Sequence, residues 1–161
     1  MDRPTIDRYA AGADLLHAVI EGLSPAELNA PPPPAAPGKW TLQQIVVHVM
    51  DSDLAAAHRM RRTIAEEKPP LIIGYDESAF ARHLQYDRMD ARLAADIYRL
   101  NRRLMTDLLR LLPDEAFTRH CIHNENGKMI LADFVKIYAD HTEHHVKFAR
   151  EKRRLMGKPM A

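Results

Sequence analysis

A single cysteine, Cys121, in 161 residues rules out an intramolecular disulfide and any site built from several thiolates, such as a zinc finger or ribbon. Neither sign of charge is in excess: 23 basic and 22 acidic residues leave a formal +1 at pH 7. No global field therefore gathers nucleic acid or anionic lipid. Runs of about 18 uncharged apolar residues are missing, and Met1-Asp2-Arg3-Pro4 lacks the apolar stretch of a secretion signal. No internal repeat of fixed period occurs. These absences set the expectation of a soluble cytoplasmic protein with no nucleic-acid and no membrane partner. The length fits one domain, 1–161, large enough to bury a core without staples.

What is present is helical periodicity. Apolar residues from Thr5 to about Leu23 recur at three- and four-residue spacing, and Ser24-Pro25-Ala26-Glu27 can cap a short turn. Pro31 to Gly38 holds five prolines and is expected to be an extended connector. A second helix runs from Thr41, paired with Gln44 in a capping box, to about Glu66. Its centre, Ile45 to Met50, is apolar on every side except at His48. His58, Arg59, Arg61 and Arg62 read as its solvated end. Leu71 to Tyr75 is expected to be loop, because one strand has nothing to pair with. Asp76-Glu77-Ser78 can cap a short helix through about Leu84. A third long helix, Met89 to Leu112, is expected to bury a face of Leu93, Ala94, Ile97, Leu100, Leu104, Leu108 and Leu111 and to leave Arg92, Arg99, Arg102 and Arg103 mostly in water. Thr118 to Lys128 reads as a polar connection with His120 and His123 at the surface. The reading is all-α, a four-helix bundle with a short extra helix between the second and third long helices.

The last helix, Ile130 to Arg154, carries the chemistry. Residues four apart lie about 40° apart around a helix, so His141 and His145 can aim two imidazoles at one point. His144 lies about 60° to the other side of His141; spacing favours His145 while leaving both pairings open. Apolar residues on the same side as His141, Phe134 and Tyr138 among them, turn these histidines toward the core. A buried pair of imidazoles leaves two polar groups to satisfy, and one shared cation would satisfy both. His48 could supply a third imidazole from the second helix. Its alternative is a core histidine bonded to Asp51, and Asp51 or Asp53 could equally support a ligating ring through its other nitrogen.

Trp40-Thr41, then His48 with Asp51, Tyr75-Asp76-Glu77, the arginine-rich third helix, Asn126-Gly127 and Tyr138-Ala139-Asp140-His141 with His145 together resemble the DinB/YfiT-like superfamily over nearly the whole chain. The resemblance implies an up-down-down-up four-helix bundle holding a divalent metal, nickel or zinc first and iron or manganese next, on His48, His141 and His145. It implies either a metal-dependent hydrolase or a transferase using a low-molecular-weight thiol such as bacillithiol or mycothiol, or a thiol-dependent maleylpyruvate isomerase. Partners expected from it are a small-molecule substrate and a second copy in a homodimer.

Three neutral ligands leave a divalent ion its full charge and an open position, suited to activating water or a thiol. Cys121 has no base fixed beside it and is not expected to be the nucleophile. A competing class is a non-catalytic module whose ion is closed by a fourth protein ligand, His144, Asp51 or Glu143. The pocket is expected where Trp40 meets the Tyr75 loop and the connection before Gly127. The second and fourth helices are taken there as parallel, with both N-termini at one mouth.

Overall fold

A computed structural model describes residues 3–160. The chain enters through α1 (Arg3–Ala11), a 3-10 turn (Gly12–Asp14), α2 (Leu15–Ile20) and the short α3 (Pro25–Leu28). It continues through α4 (Leu42–Ala65), β1 (Leu71–Ile72), α5 (Glu77–His83) and α6 (Ala91–Leu111). A second 3-10 turn (Asp114–Thr118), β2 (His120–His123), β3 (Gly127–Ile130) and α7 (Leu131–Leu155) complete it. Capping boxes at Ser24/Glu27 and Thr41/Gln44 start α3 and α4; each satisfies backbone N–H groups that have no partner inside the helix.

Side-chain bonds fix the directions of the four long elements. Gln43 donates to the Met89 carbonyl, Asp53 meets Asn101 and Arg102, and Arg61 donates to Met105, so α4 and α6 run parallel. Arg8 pairs with Glu143 and Arg153 donates to the Ala18 carbonyl, so α1–α2 runs parallel to α7. Arg59 meets Tyr138 while Lys152 meets Gly38, which sets α7 antiparallel to α4. The result is an up-down-down-up four-helix bundle. The expectation of parallel second and fourth helices is wrong for that topology, and their N-termini do not share a mouth.

A polar knot crosses the middle of the bundle between two apolar clusters. Arg102 is 1% exposed. It donates from Nη2 and Nε to Asp53 at 2.7 and 3.0 Å, and to the Tyr9 and Tyr138 carbonyls and the Thr142 hydroxyl. Its guanidinium carbon also lies 3.9 Å from the Tyr9 ring centre. The knot explains the break in the first helix, expected to be continuous. A Cβ at Gly12 would sit 2.9 Å from Arg102 Nη1, and the Gly12 carbonyl accepts from Tyr98. Only glycine fits that approach.

The same knot rotates α6 from the expected orientation. Ala91, Ala94, Ala95, Tyr98, Arg102, Met105 and Leu109 face inward, the alanines allowing close approach to α4. Leu93, Leu100, Leu104 and Leu111 are 58, 63, 58 and 82% exposed, not core, and Arg102 is the reverse of a solvated residue.

The two connections read as loop form a small sheet. β1 pairs parallel with β2, setting Leu71 opposite Ile122, and β2 pairs antiparallel with β3, setting Cys121 opposite Met129. The partner for the isolated strand thus comes from about 50 residues later, where His120 to His123 alternate in burial. His123 is consequently buried, with Nδ1 accepting from the Glu125 N–H, and is not the surface residue expected.

Candidate functional site

Antiparallel packing of α4 on α7 brings His48 opposite His141 and His145. His48 is fully buried in the apolar centre of α4; His141 and His145 are half-buried, so the cluster faces outward on one side. Ring centroids of His48 lie 5.1 Å from His141 and 4.7 Å from His145, and those of His141 and His145 are 4.5 Å apart. One nitrogen from each of the three lies within 4.8 Å of the other two. His48 Nε2 and His141 Nε2 are 3.1 Å apart. On a coordination sphere of 2.0–2.1 Å radius that chord would subtend about 98°, between the tetrahedral and octahedral angles.

Electrostatics keep the three rings neutral. Burial, then the proximity of His145 and His141, draws His48 down to about 3. Burial, His145, Arg102 and His144 draw His141 to about 3, and burial with His144 draws His145 to about 4. Neutral imidazole is the form that can ligate. A three-nitrogen, mid-polarity donor set of this kind suits zinc or nickel better than calcium or magnesium.

The other candidates are divided between two sides of this cluster. Trp40 packs edge-on against His48 at 4.6 Å and parallel to His145 at 6.3 Å. Tyr75 lies on the far side, against Phe80 at 4.5 Å and near Arg59. Its hydroxyl is buried beside Ser52 but closes no hydrogen bond of normal geometry with a described residue. Trp40 thus packs on the histidines themselves, whereas Tyr75 makes no ring contact with them among the described residues. The hairpin ahead of α7 reaches the Tyr75 side only, where the Gly74 N–H donates to Asn124. Asp51 accepts from Tyr86 at 2.6 Å, and neither it nor Asp53, held by Arg102, reaches His48. The Nδ1 atoms of His48 and His145 have no partner among the described residues. His144 is exposed against Phe148 and outside the converging group.

One neighbour was misread from the sequence and another was placed on the right helix face. Arg59, read as solvated, donates to the Tyr138 hydroxyl at 2.8 Å and the Ile73 carbonyl at 3.0 Å. Tyr138, three residues before His141, is on the same helix face as its spacing led us to expect, and its ring centre lies 6.2 Å from that of His141. Cys121 is fully buried and its thiol is pushed up by burial, which suits a packing role in the sheet.

A four-helix bundle with three inward imidazoles on facing helices is a scaffold of the class that can hold a metal ion. Residues 8–149 match the family model described as DinB superfamily, and the chain belongs to that superfamily. It is 29% identical over 143 residues to the protein named "Putative metal-dependent hydrolase YfiT" from Bacillus subtilis, covering 88% of this chain and 78% of that one. A protein named "Putative metal-dependent hydrolase" from Bacillus pumilus is 33% identical over 148 residues, covering 91% of this chain and 81% of that one. The solved structure of YfiT superposes with a TM-score of 0.86 at 25% identity, over 98% of this chain and 90% of that one. A mycothiol-dependent maleylpyruvate isomerase shares the fold alone, with a TM-score of 0.69 at 10% identity over 91% of this chain and 59% of that one.

The depressed histidine values have a signed consequence. Each ring returns to about 6.5 on unfolding, so below that pH the unfolded chain takes up protons that the folded chain refuses. Stability of the metal-free protein, full above pH 6.5, should fall as pH drops toward 4. Bound metal should likewise persist through pH 6.5 and be lost only nearer pH 4, later than free imidazole would predict. Urea melts of metal-free protein at pH 7.5 and 5.0 check the first point; equal or greater stability at pH 5.0 would contradict it.

Proposed function

We propose that the chain is a metal-dependent enzyme whose three histidines, His48, His141 and His145, hold one divalent ion, zinc or nickel, and that it acts on a small molecule. The observation that carries this reading is the convergence of three imidazoles on a half-exposed face. A divalent ion bound there would lower the pKa of water or of a low-molecular-weight thiol at its open position, serving hydrolysis or thiol transfer. The protein's own part is to keep the rings unprotonated by burial and to fix their angles through the Arg102 knot beneath them. Trp40 and Tyr75 confine what approaches. The half-exposure of His141 and His145 favours an open site over one closed by a fourth side chain: His144 is turned away, Asp51 is engaged by Tyr86, and Glu143 pairs with Arg8. No helix among the described residues is long and apolar enough to cross a membrane. We place the protein in the reducing cytoplasm, where the unpaired Cys121 is at home.

His48→Ala, His141→Ala and His145→Ala should each weaken metal binding by more than about 100-fold, beyond the loss typical of supporting residues. His144→Ala and Asp51→Asn should change it by less than about tenfold. Metal titration of untagged protein measures this, and full affinity in any of the first three variants would remove that residue from the site.

We also infer a homodimer through α6. Leu93, Leu100, Leu104 and Leu111 form an exposed seam at steps of seven, four and seven residues, with the half-buried Ile97 at its edge. Antiparallel pairing about a twofold axis between Leu100 and Leu104 would set Leu93 against Leu111 and bring Asp96 toward Arg110 of the second copy. Sedimentation equilibrium should find a dimer that Leu100→Glu/Leu104→Glu converts to a folded monomer. A monomeric wild type at micromolar concentration would contradict it.

A further inference from the structure

A pocket of about 150 Å3 lies between the proline-rich connection and α7, bounded by Pro37, Trp40, Ile45, His145, Phe148 and Lys152. Its walls are apolar except at the His145 ring, the buried Lys152 ammonium and the exposed Lys39. Lys152 is 1% exposed. Its Nζ donates to the Pro37 carbonyl at 2.6 Å and the Gly38 carbonyl at 3.0 Å, and Gly38 reaches that position with φ +68. An ammonium has three N–H groups, so one remains. No carboxylate pairs with Lys152 among the described residues, and burial lowers its pKa. The next residue shows what a purely structural buried cation looks like in this fold. Arg153 is also buried, and its guanidinium is covered by the carbonyls of Ala18, Val19, Glu21, Lys158 and Pro159. Lys152 instead borders a cavity with a donor to spare and no counter-charge.

Its position relative to the histidines is set by α7. Lys152 follows His145 by seven residues, two turns, so the two stand on one face about 10 Å apart along the axis. A ligand touching both needs a span on the order of six to eight bonds, at about 1.2 Å per bond of extended chain. The side chains between them, Trp40, Ile45 and Phe148, suit an apolar linker.

We propose that this pocket receives the carboxylate end of the substrate: an acid whose reacting group sits at the three histidines and whose carboxylate meets Lys152 across an apolar linker. The assignment rests on the metal reading above and adds the substrate class. Burying a carboxylate against Lys152 supplies the missing counter-charge, and the third N–H supplies a charge-assisted hydrogen bond. Lys152 thus selects substrate, while the Pro37 and Gly38 carbonyls hold its ammonium in place.

The test uses the full chain loaded with cobalt(II), whose visible absorption reports ligands at the metal, with fluorescence of Trp40, the only tryptophan, reporting the pocket. The probes are monohydroxamates of succinic, adipic and suberic acids, each compared with its neutral methyl ester. A hydroxamate chelates an open metal whether water or a thiol is the natural nucleophile. At one chain length the free acid should bind at least about tenfold more tightly than the ester, with a change in Trp40 emission. That preference should vanish in Lys152→Met and survive in Lys152→Arg, with metal content unchanged in both. Equal binding of acid and ester at every length in the wild type would overturn the inference even if Lys152→Met fails to fold, and so would an acid preference that persists in a folded Lys152→Met. A preference seen only when a phosphonate replaces the carboxylate would overturn the assignment of a carboxylic acid. Failure of every hydroxamate to alter the cobalt spectrum would contradict the open metal itself, and this inference with it.

Discussion

The ion pair of Arg102 with Asp53 is the constraint on which the remaining geometry depends, since it joins all four long elements at one depth. Removing one member would leave the other charged and buried, at a cost of about 3–5 kcal/mol, so the helices around it are not free to slide or rotate. Asp53 lies five residues beyond His48, and the Tyr138 carbonyl and Thr142 hydroxyl that accept from Arg102 flank His141. Whatever fixes Arg102 therefore also fixes the register in which α4 presents His48 to α7. Gly12, Tyr9 and Tyr98 make room for the guanidinium and cover it, which ties the broken first helix to the same point.

This arrangement explains how a cluster of imidazoles can stay neutral and poised. Three rings whose facing nitrogens lie within 4.8 Å of one another would repel if protonated, and burial makes the charged form costlier still. The Arg102 charge below His141 adds to that. An ion arriving at the site would therefore not have to displace protons at neutral pH. The asymmetry of the site follows from its helices as well: α4 contributes one ring from an apolar interior, and α7 contributes two from a face that is half in water. Trp40 packs on His48 and His145, and Tyr138, its hydroxyl held by Arg59, packs on His141, so the neighbours of the cluster differ in polarity.

Much of this was legible from residue spacing, and the limits were physical. Thr41 with Gln44 and Ser24 with Glu27 are local signals that depend on nothing distant, and both caps form. The four-residue step from His141 to His145 on a helix required only helical geometry. His48 entered as an unexplained polar residue in an apolar run, and its grouping with His141 and His145 was implied only by the family resemblance. α6 misled because its leucines mark the wider apolar stripe, whereas the face that packs is set by small alanines and a buried arginine paired through Asp53. No local pattern reveals that pairing, since its two members are 49 residues apart. The sheet failed for the same reason: Leu71 and Ile72 need Ile122 and His123, and a two-residue strand has no periodicity to read. Relative helix direction is likewise absent from spacing, and the mouth inferred from parallel helices fell with it.

The central claim is that α4 and α7 together present three imidazoles to one divalent ion with room left for substrate. X-ray absorption at the K-edge of the metal in the purified, loaded protein tests this most directly, because imidazole rings add outer-shell scattering that carboxylates and water lack. The account predicts three imidazoles at about 2.0–2.1 Å together with at least one exchangeable light-atom ligand, altered when a thiol is added. A shell with two or fewer imidazoles, or a fourth protein side chain that no added ligand displaces, would contradict it.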